Sequence, residues 1–335
     1  MTTSPLTHQT TDSSEQRILF FCETFESIKR EIGKMIVGQE QVVDGVLTAL
    51  CAGGHVLLEG VPGLGKTMLV SAISRSVDLP FSRIQFTPDM MPADIQGSSV
   101  LTDTGNGGHE LTFQPGPIVS NLVLADEINR ATPKTQSALL EVMQEKQVTI
   151  GKRTIKLDDP FCVMATQNPV DQEGTYPLPE AQLDRFLFKL VVGYPTEQDY
   201  HTIIDRTTSG TTIALNAVSN GAALVEMRNI VRSVAVSEQA KRFAIKLVMG
   251  TQPDSPYATK AINDFVSLGA SPRGIQSLML AAKVIALRNS RNEVSEADIR
   301  QVALPVLRHR LVLNFKAQAA NMSADSLIQT VLTEL

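Results

Sequence analysis

Residues 55–67 read HVLLEGVPGLGKT, and the architecture follows from this stretch. The first six residues form a short apolar run typical of a buried strand, and the spacing after Lys66 predicts a helix. Between them, residues 60–67 match the pattern GxxxxGKT, which arises by chance in roughly one chain in a hundred. Its position between a strand and a helix makes it specific, because backbone N–H groups and the helix N-terminus can then hold phosphate groups. The sequence therefore predicts a phosphate-binding loop.

The residue types of this loop suit a nucleotide with its metal ion. Gly63 and Gly65 permit a tight backbone path, and Lys66 can reach the β- and γ-phosphates. The hydroxyl of Thr67 is suited to Mg²⁺. The alternative, a glycine-rich turn with a surface lysine, is disfavoured by the strand and helix on either side. We expect the nucleotide to contact Gly60, Pro62, Gly63, Leu64, Gly65, Lys66, Thr67 and Met68.

A pair of carboxylates ends a second apolar run, LVLADE, at residues 122–127. Asp126 at the strand tip can hold Mg²⁺ through water, and Glu127 can polarise a water for in-line attack on a phosphate. Two adjacent acids at a strand end are common and carry little information alone. About 60 residues after a phosphate-binding loop, they predict an ATPase that uses ATP and Mg²⁺.

A third polar strand end follows in the sequence ATQNP, residues 165–169. Ligands of parallel sheets bind outside the carboxyl ends of the strands, so Asn168 is expected to face the same crevice. Its amide could orient the attacking water or the γ-phosphate. Taken alone, this asparagine is better explained as a turn residue before Pro169.

The order of elements predicts an α/β fold followed by a helical region. Strands and helices alternate up to residue 196, which indicates a parallel sheet covered by helices on both faces. Beyond it we expect helices only, with Ser237, Ser271 and Ser295 as N-caps. The predicted regions are a disordered tail at 1–15, an α/β domain at 16–196 and an all-helical domain at 197–335. Strands are expected at residues 55–60, 82–86, 121–127, 161–167 and 186–192.

Composition excludes several classes of protein. The 335 residues carry a net charge of −5, which argues against a general nucleic-acid coat or a binder of anionic membranes. The 3 cysteines form no CxxC pair, so a disulfide framework or a zinc site is not expected. No stretch approaches the roughly 20 apolar residues that span a bilayer, and the N-terminus lacks the features of a signal peptide. We expect a cytoplasmic protein.

Six motifs taken in order resemble the AAA+ ATPases and, within them, the MoxR family. They read GVPGLGKT, LADEINRA, ATQNP, LPEAQLDRF, GYPTEQD and GASPRG, and the resemblance covers roughly residues 30–315. It implies a P-loop AAA+ core with a parallel five-stranded sheet flanked by helices, followed by an all-α lid domain.

The resemblance also implies roles for individual residues. Asn168 matches the family's sensor 1. Arg185, in LDRF, matches the arginine finger that reaches a neighbouring subunit's γ-phosphate. Arg273, in SPRG, matches sensor 2, the lid arginine that contacts bound nucleotide. Gly38 and Gln39, in VGQ, lie where related proteins pass close to the adenine.

The chemistry of the two arginines agrees with these roles without requiring them. Arg185 is a permanently charged planar donor suited to phosphate, although it could simply pair with Asp184. Arg273 lies in the first turn of a predicted helix, where the helix dipole disfavours a cation. A cation so placed suggests an anionic partner, and a solvated arginine is the alternative.

Two predicted hairpins and the resemblance leave three functions open. Residues 98–113 and 146–156 each suggest a β-hairpin, and the second carries Lys146, Lys152, Arg153 and Lys156. The resemblance favours a chaperone or remodelling motor, assembled as a hexameric ring, that activates partner proteins or helps insert a cofactor or metal. A von Willebrand factor A domain protein is the partner expected. The alternatives are a helicase-like or DNA-remodelling ATPase that uses the basic hairpin, and a nucleotide-dependent switch with negligible turnover, against which Glu127 argues.

Overall fold

The fold is that of a computed structural model, which describes residues 8–61, 63–103, 109–151, 153–168, 174–208 and 213–335. The chain divides into two compact units. The α/β unit comprises Ile32–Val46 and Gly53–Gly221, and the helical unit comprises Met1–Glu31, Leu47–Ala52 and Ala222–Leu335. The domain limits predicted at 15/16 and 196/197 differ from the bounds of these units and stay a prediction.

The first two helices contribute to both units. They are α1 (His8–Gly33) and α2 (Glu40–Ala52). Because α1 begins at His8, it includes part of the segment predicted as a tail, and residues 1–7 lie outside the described residues. Phe21, Phe25 and Ile28 of α1 are buried, which accounts for the helical spacing of apolar residues in the sequence.

The α/β unit is built around one parallel sheet. The strands of the whole unit are β1 (Val56–Glu59), β2 (Phe81–Gln85), β3 (Gly97–Asp103), β4 (His109–Pro115), β5 (Leu122–Asp126), β6 (Gln147–Ile150), β7 (Arg153–Lys156), β8 (Cys162–Gln167) and β9 (Phe188–Val191). Its helices are α3 (Lys66–Ser76), α4 (Pro92–Gln96), α5 (Pro133–Glu145), α6 (Glu180–Leu183) and α7 (Glu197–Thr208). The 5-stranded sheet has the order β2-β5-β8-β1-β9, and every pairing in it is parallel. The predicted α/β fold and its sheet are confirmed.

The register of the sheet brings the predicted functional segments to one edge. Gln85 pairs with Asp126, and Glu59 pairs with Gln167, so these residues end their strands side by side. The central strands β1, β5 and β8 are almost entirely buried, which explains why they are continuous apolar runs. The sheet therefore fixes the positions from which the phosphate-binding loop, Glu127 and Asn168 follow their strands.

Both predicted hairpins are present beside the sheet. Strands β3 and β4 pair antiparallel, and so do β6 and β7. Gly151, at the second turn, has a φ of 60°, a left-handed conformation that favours glycine. The tip at 104–108 and Lys152 lie outside the described residues.

The helical unit is formed largely by the C-terminal part of the chain. Its helices are α8 (Gly221–Ser233), α9 (Glu238–Gly250), α10 (Lys260–Phe265), α11 (Pro272–Arg288), α12 (Glu296–Leu307), α13 (Phe315–Ala319) and α14 (Ala324–Glu334). Ser237, Ser271 and Ser295 occupy the N-cap positions of α9, α11 and α12, as predicted. The sequence did not predict four short strands there, β10 (Ala235–Val236), β11 (Val266–Leu268), β12 (Glu293–Val294) and β13 (Val312–Leu313). Segments of two or three residues give no periodic signal.

Candidate nucleotide site

The phosphate-binding loop owes its shape to glycines that act in two different ways. Gly63 and Gly65 have φ values of 85° and 76°, and a Cβ on either would meet no atom within 4 Å. Conformation, not space, therefore requires glycine at these two positions. Gly60 is required by space, since a Cβ there would lie 2.8 Å from the carbonyl oxygen of Val192.

Lys66, the first residue of α3, lies in the field of both predicted carboxylates. Its Nζ donates to the carbonyl oxygens of Gly60 (2.6 Å) and Val61 (3.1 Å). Burial lowers the pKa of Lys66, and the negative charges of Asp126 and Glu127 partly offset that effect. The structure thus brings together the lysine and the two acids that the sequence predicts.

Asp126 has polar partners on both carboxylate oxygens. Arg83 on β2 donates to Oδ2 through Nη2 (2.6 Å) and Nε (3.2 Å). The hydroxyl of Thr166 on β8 donates to Oδ1 at 2.6 Å. Strands on either side of β5 therefore hold this carboxylate in place.

Glu127 is fixed through its backbone as well as its side chain. Its φ of 58° is unusual for a residue with a Cβ, and its N–H donates to Thr166 Oγ1 at 2.8 Å. The carboxylate accepts from Gln85 Nε2 and Arg130 Nη1, each at 3.0 Å. Thr166 thus links the two acids, with its oxygen accepting from one residue and its hydroxyl donating to the other.

Asn168 and Arg185 differ in burial and in their hydrogen-bond partners. Asn168 directly follows β8 and is buried, and its carbonyl oxygen accepts a long hydrogen bond of 3.5 Å from Asn129. The half-buried Arg185 donates through Nη1 to the carbonyl oxygen of Leu140 on α5, at 2.5 Å. Its buried Nε has no hydrogen-bond partner among the described residues. Arg185 therefore rests on a helix of its own subunit, and its contact with a neighbour stays a prediction.

Two further predicted residues are Arg273 and Pro62. Arg273 belongs to the helical unit, in the first turn of α11, where its N–H donates to Ser271 Oγ at 3.1 Å and its side chain is exposed. Pro62 lies outside the described residues.

A cavity of about 430 Å³ lies beside the phosphate-binding loop. Its walls include Gln39, Leu64 and Met68, together with residues 35–37 and α7. Gln39 Nε2 donates to the carbonyl oxygen of Leu64 at 2.8 Å, which ties the cavity to the loop. Apolar side chains dominate the lining, as in most pockets that hold a flat ring. A cavity thus lies next to Gln39, and its occupation by adenine stays a prediction.

The loop before α2 approaches α7 too closely for a side chain. Gly38 has a φ of 70°, and a Cβ there would collide with the Asp199 carboxylate. Arg206, about two helical turns after Asp199 on the same face of α7, donates to the carbonyl oxygens of Lys34 (2.6 Å) and Gly33 (3.2 Å). These contacts hold the cavity wall in position.

Sequence reasoning missed Arg83, Thr166 and Arg206. Thr166 and Arg83 become partners of Asp126 only because β2 and β8 flank β5, and no local pattern reveals that order. In the sequence, Arg206 is simply a basic residue of a predicted amphipathic helix, and nothing there indicates its contacts with residues 33 and 34. The signal in the sequence that could have pointed to Thr166 is its place among the polar residues at a strand end.

The donor set suits Mg²⁺ bound together with a nucleotide. The described residues contain no group of three or more His, Cys, Asp or Glu side chains able to hold a metal. Mg²⁺ in nucleotide sites usually needs only one or two protein oxygens besides the phosphates. The Thr67 hydroxyl and the Asp126 carboxylate are oxygen donors of that kind.

Comparison with known families defines the class. A model of the ATPase family associated with various cellular activities (AAA) matches residues 55–188, and a model of the AAA lid domain matches residues 258–331. Together with the parallel sheet and the phosphate-binding loop, these matches make the chain an AAA ATPase followed by a helical lid domain.

Individual relatives identify the family. Chaperone MoxR1 of Mycobacterium tuberculosis is 44% identical over 309 residues, covering 92% of this chain and 81% of that protein. Protein MoxR of Methylorubrum extorquens is 30% identical over 301 residues, covering 85% and 86%. The crystal structure of a candidate ATPase from Cytophaga hutchinsonii matches with a TM-score of 0.90 and 41% identity, over 97% of this chain and 98% of that one. The chain belongs to the MoxR family of AAA+ ATPases, and it is an ATP-hydrolysing enzyme.

Within the part of the chain that the structure describes, no helix is long and apolar enough to cross a bilayer.

Proposed function

We propose that the α/β unit binds ATP with its adenine in the cavity beside Gln39 and its phosphates on the loop at residues 60–67. The left-handed glycines and the N-terminus of α3 support this placement, because they direct backbone N–H groups toward an anion. Lys66 supplies the positive charge for the β- and γ-phosphates. Met68 lines this cavity, and Gly38 precedes the lining residue Gln39, so both are assigned to the surroundings of the base.

The chemistry is assigned to the polar strand ends. Thr67 and Asp126 hold Mg²⁺, which when bound neutralises charge on the phosphates. Glu127 accepts a proton from the attacking water, and Asn168 orients that water or the γ-phosphate. Arg185 of an adjacent subunit and the lid residue Arg273 add positive charge at the γ-phosphate.

The assembly is proposed to be a hexameric ring in the cytoplasm that remodels partner proteins. A trans-acting arginine needs a neighbouring subunit, and AAA+ chaperones are usually oligomeric. One relative is named a chaperone, which supports a role in activating or maturing partners. The partner proposed is a protein with a von Willebrand factor A domain, with cofactor or metal insertion as one outcome.

One observation carries this proposal. Lys66 lies within the electrostatic influence of Asp126 and Glu127, beside a cavity of about 430 Å³. A purely structural role does not require a half-buried lysine and two acids to lie close together beside an apolar cavity.

The test is a Glu127→Gln form that binds ATP without hydrolysing it. It is expected to form rings with ATP and to retain a partner protein that the parent releases on hydrolysis. The control is Glu127→Gln with ADP, which should not retain the partner. Unaltered phosphate release by Glu127→Gln would remove Glu127 from the mechanism.

The nucleic-acid alternative receives less support from the hairpin. Lys146 forms an ion pair with Asp159 at 3.4 Å, which reduces the charge available to a phosphate backbone. Arg153 and Lys156 are exposed on a short ribbon, where a solvated charged face is ordinary. DNA-stimulated hydrolysis that weakens with salt would restore this alternative.

A further inference from the structure

The Asp126 carboxylate already has a cation at the place where the proposed function puts Mg²⁺. Its side chain is only 13% exposed, and Arg83 contacts Oδ2 at 2.6 Å. A carboxylate so shielded from water needs a counter-charge, because an unpaired buried charge is strongly unfavourable. Arg83 supplies that charge from a neighbouring strand.

We propose that Arg83 and Mg²⁺ compete for the Asp126 carboxylate, so that Arg83 sets the Mg²⁺ concentration at which the site binds nucleotide. This rests on the proposed function, which gives Asp126 to Mg²⁺. In this account Arg83 is a regulatory residue that tunes metal dependence. It takes no part in the reaction itself.

The two partners of Asp126 differ in their freedom to leave. Thr166 is 1% exposed, and its hydroxyl oxygen also accepts the N–H of Glu127. Moving Thr166 would break both bonds. The side chain of Arg83 is 47% exposed, so its guanidinium can turn into solvent and be rehydrated at little cost. Arg83 is therefore the partner that Mg²⁺, held by Asp126 through a bound water, can replace.

Repulsion between positive charges also favours the release of Arg83 when Mg²⁺ binds. Lys66 already places one positive charge near Asp126. A divalent cation at this carboxylate repels a guanidinium on the same oxygen, since like charges a few ångströms apart interact unfavourably even near a protein surface. Occupancy of Asp126 by Mg²⁺ and close contact with Arg83 thus disfavour each other.

The chain offers a matched control in Arg130. It pairs with the adjacent carboxylate, Glu127, at 3.0 Å, and its side chain is 45% exposed. Arg83 and Arg130 therefore share residue type, exposure and kind of partner. They differ in their partners, since Arg83 donates to Asp126 and to Gln85, whereas Arg130 donates to Glu127.

The experiment measures binding of a fluorescent ADP analogue to the full chain over a Mg²⁺ series that includes EDTA. Arg83→Gln is expected to lower the Mg²⁺ concentration for half-maximal binding about two- to fivefold, the range set by a partly exposed ion pair. Arg130→Gln is expected to leave it unchanged. Asp126→Asn is expected to lose most of the Mg²⁺ dependence.

Three results would overturn the competition. One is an Arg83→Gln form that binds ADP with the parental Mg²⁺ dependence. Another is an equal shift in Arg130→Gln. The third is an Arg83→Gln form whose affinity weakens equally in EDTA and in Mg²⁺, which would make Arg83 a phosphate ligand.

Two precautions keep the test decisive. If Arg83→Gln does not fold, Arg83→Lys is used, for which a smaller shift in the same direction is expected and no shift contradicts the proposal. ADP binding requires neither hydrolysis nor a partner protein. A chain that binds ADP without hydrolysing ATP therefore refutes the catalytic proposal and leaves the competition testable.

Discussion

Two arginine–aspartate pairs, one in each unit, have nearly the same geometry and different surroundings. In the α/β unit Arg83 contacts Asp126 at 2.6 Å, and in the helical unit Arg291 contacts Asp298 at 2.5 Å. Asp298 receives its other hydrogen bonds from the backbone and hydroxyl of Ser295, so its partners lie within a few residues at the start of α12. The partners of Asp126 come from two other strands.

The difference indicates that the pair at Asp298 stabilises the fold, whereas the pair at Asp126 belongs to the candidate nucleotide site. The Asp298 cluster closes within one loop and caps a helix, and the carboxylate is 2% exposed. Asp126 lies at the sheet edge beside the phosphate-binding loop, held by a partner that can leave. We therefore expect changes near Asp126 to affect nucleotide binding and hydrolysis, and changes at Asp298 to affect stability.

Arg185→Ala should give the largest loss on the α/β side. If Arg185 completes a neighbour's site, hydrolysis falls about 10³-fold while ring formation and ATP binding persist. Phosphate release and sedimentation, measured on the same samples, check this. Arg153→Ala, an exposed arginine on the hairpin, is the control and should hydrolyse ATP at the parental rate.

Glu127→Gln should lower hydrolysis about 10²–10³-fold, because the amide cannot accept the proton of the attacking water. Affinity for ATP should stay within a few-fold of the parent. A rapid-quench assay with bound ATP separates the two quantities. Loss of binding instead of hydrolysis would place Glu127 in nucleotide binding.

Lys66→Ala should weaken nucleotide affinity about 100-fold, through loss of a charge-assisted contact with the phosphates. Its melting temperature without nucleotide should change little, because the partial burial that disfavours the ammonium charge is offset by its hydrogen bonds to the carbonyl oxygens of Gly60 and Val61. Titration calorimetry and thermal unfolding together test this. Parental affinity would contradict the phosphate assignment.

Asp298→Asn is the counterpart in the helical unit, with an expected loss of about 3 kcal/mol in stability and unchanged affinity for ATP. Burial raises the pKa of Asp298, but the hydrogen bonds from Arg291 and Ser295 outweigh it and hold the pKa below its ordinary value. Stability from a lowered pKa is present above the ordinary value and lost as the pH falls through the folded one.

The parent should accordingly lose stability below about pH 4, and Asp298→Asn should lose less over that range. Urea unfolding between pH 2 and pH 7 measures the difference. Identical pH profiles would show that Asp298 contributes nothing through its charge.

The sequence predicted what depends on local pattern. The strand–loop–helix of residues 55–67 and the two hairpins are confirmed, because periodicity and glycine positions are encoded within a few residues. The Arg83–Asp126 pair could not be predicted, since it depends on β2 lying next to β5. The capping of α12 by Ser295 and Asp298 could be predicted, because the two residues are three positions apart in the sequence.

The most direct test of the central claim, that one active site is built from two subunits, mixes two inactive forms. Arg185→Ala subunits keep Glu127, and Glu127→Gln subunits keep Arg185, so a mixed ring contains complete sites where the two meet in the right order. When equal amounts mix at random, about a quarter of the sites are complete, and hydrolysis should rise toward that share of the parental rate. A mixture that forms rings but remains as inactive as its components would contradict the account.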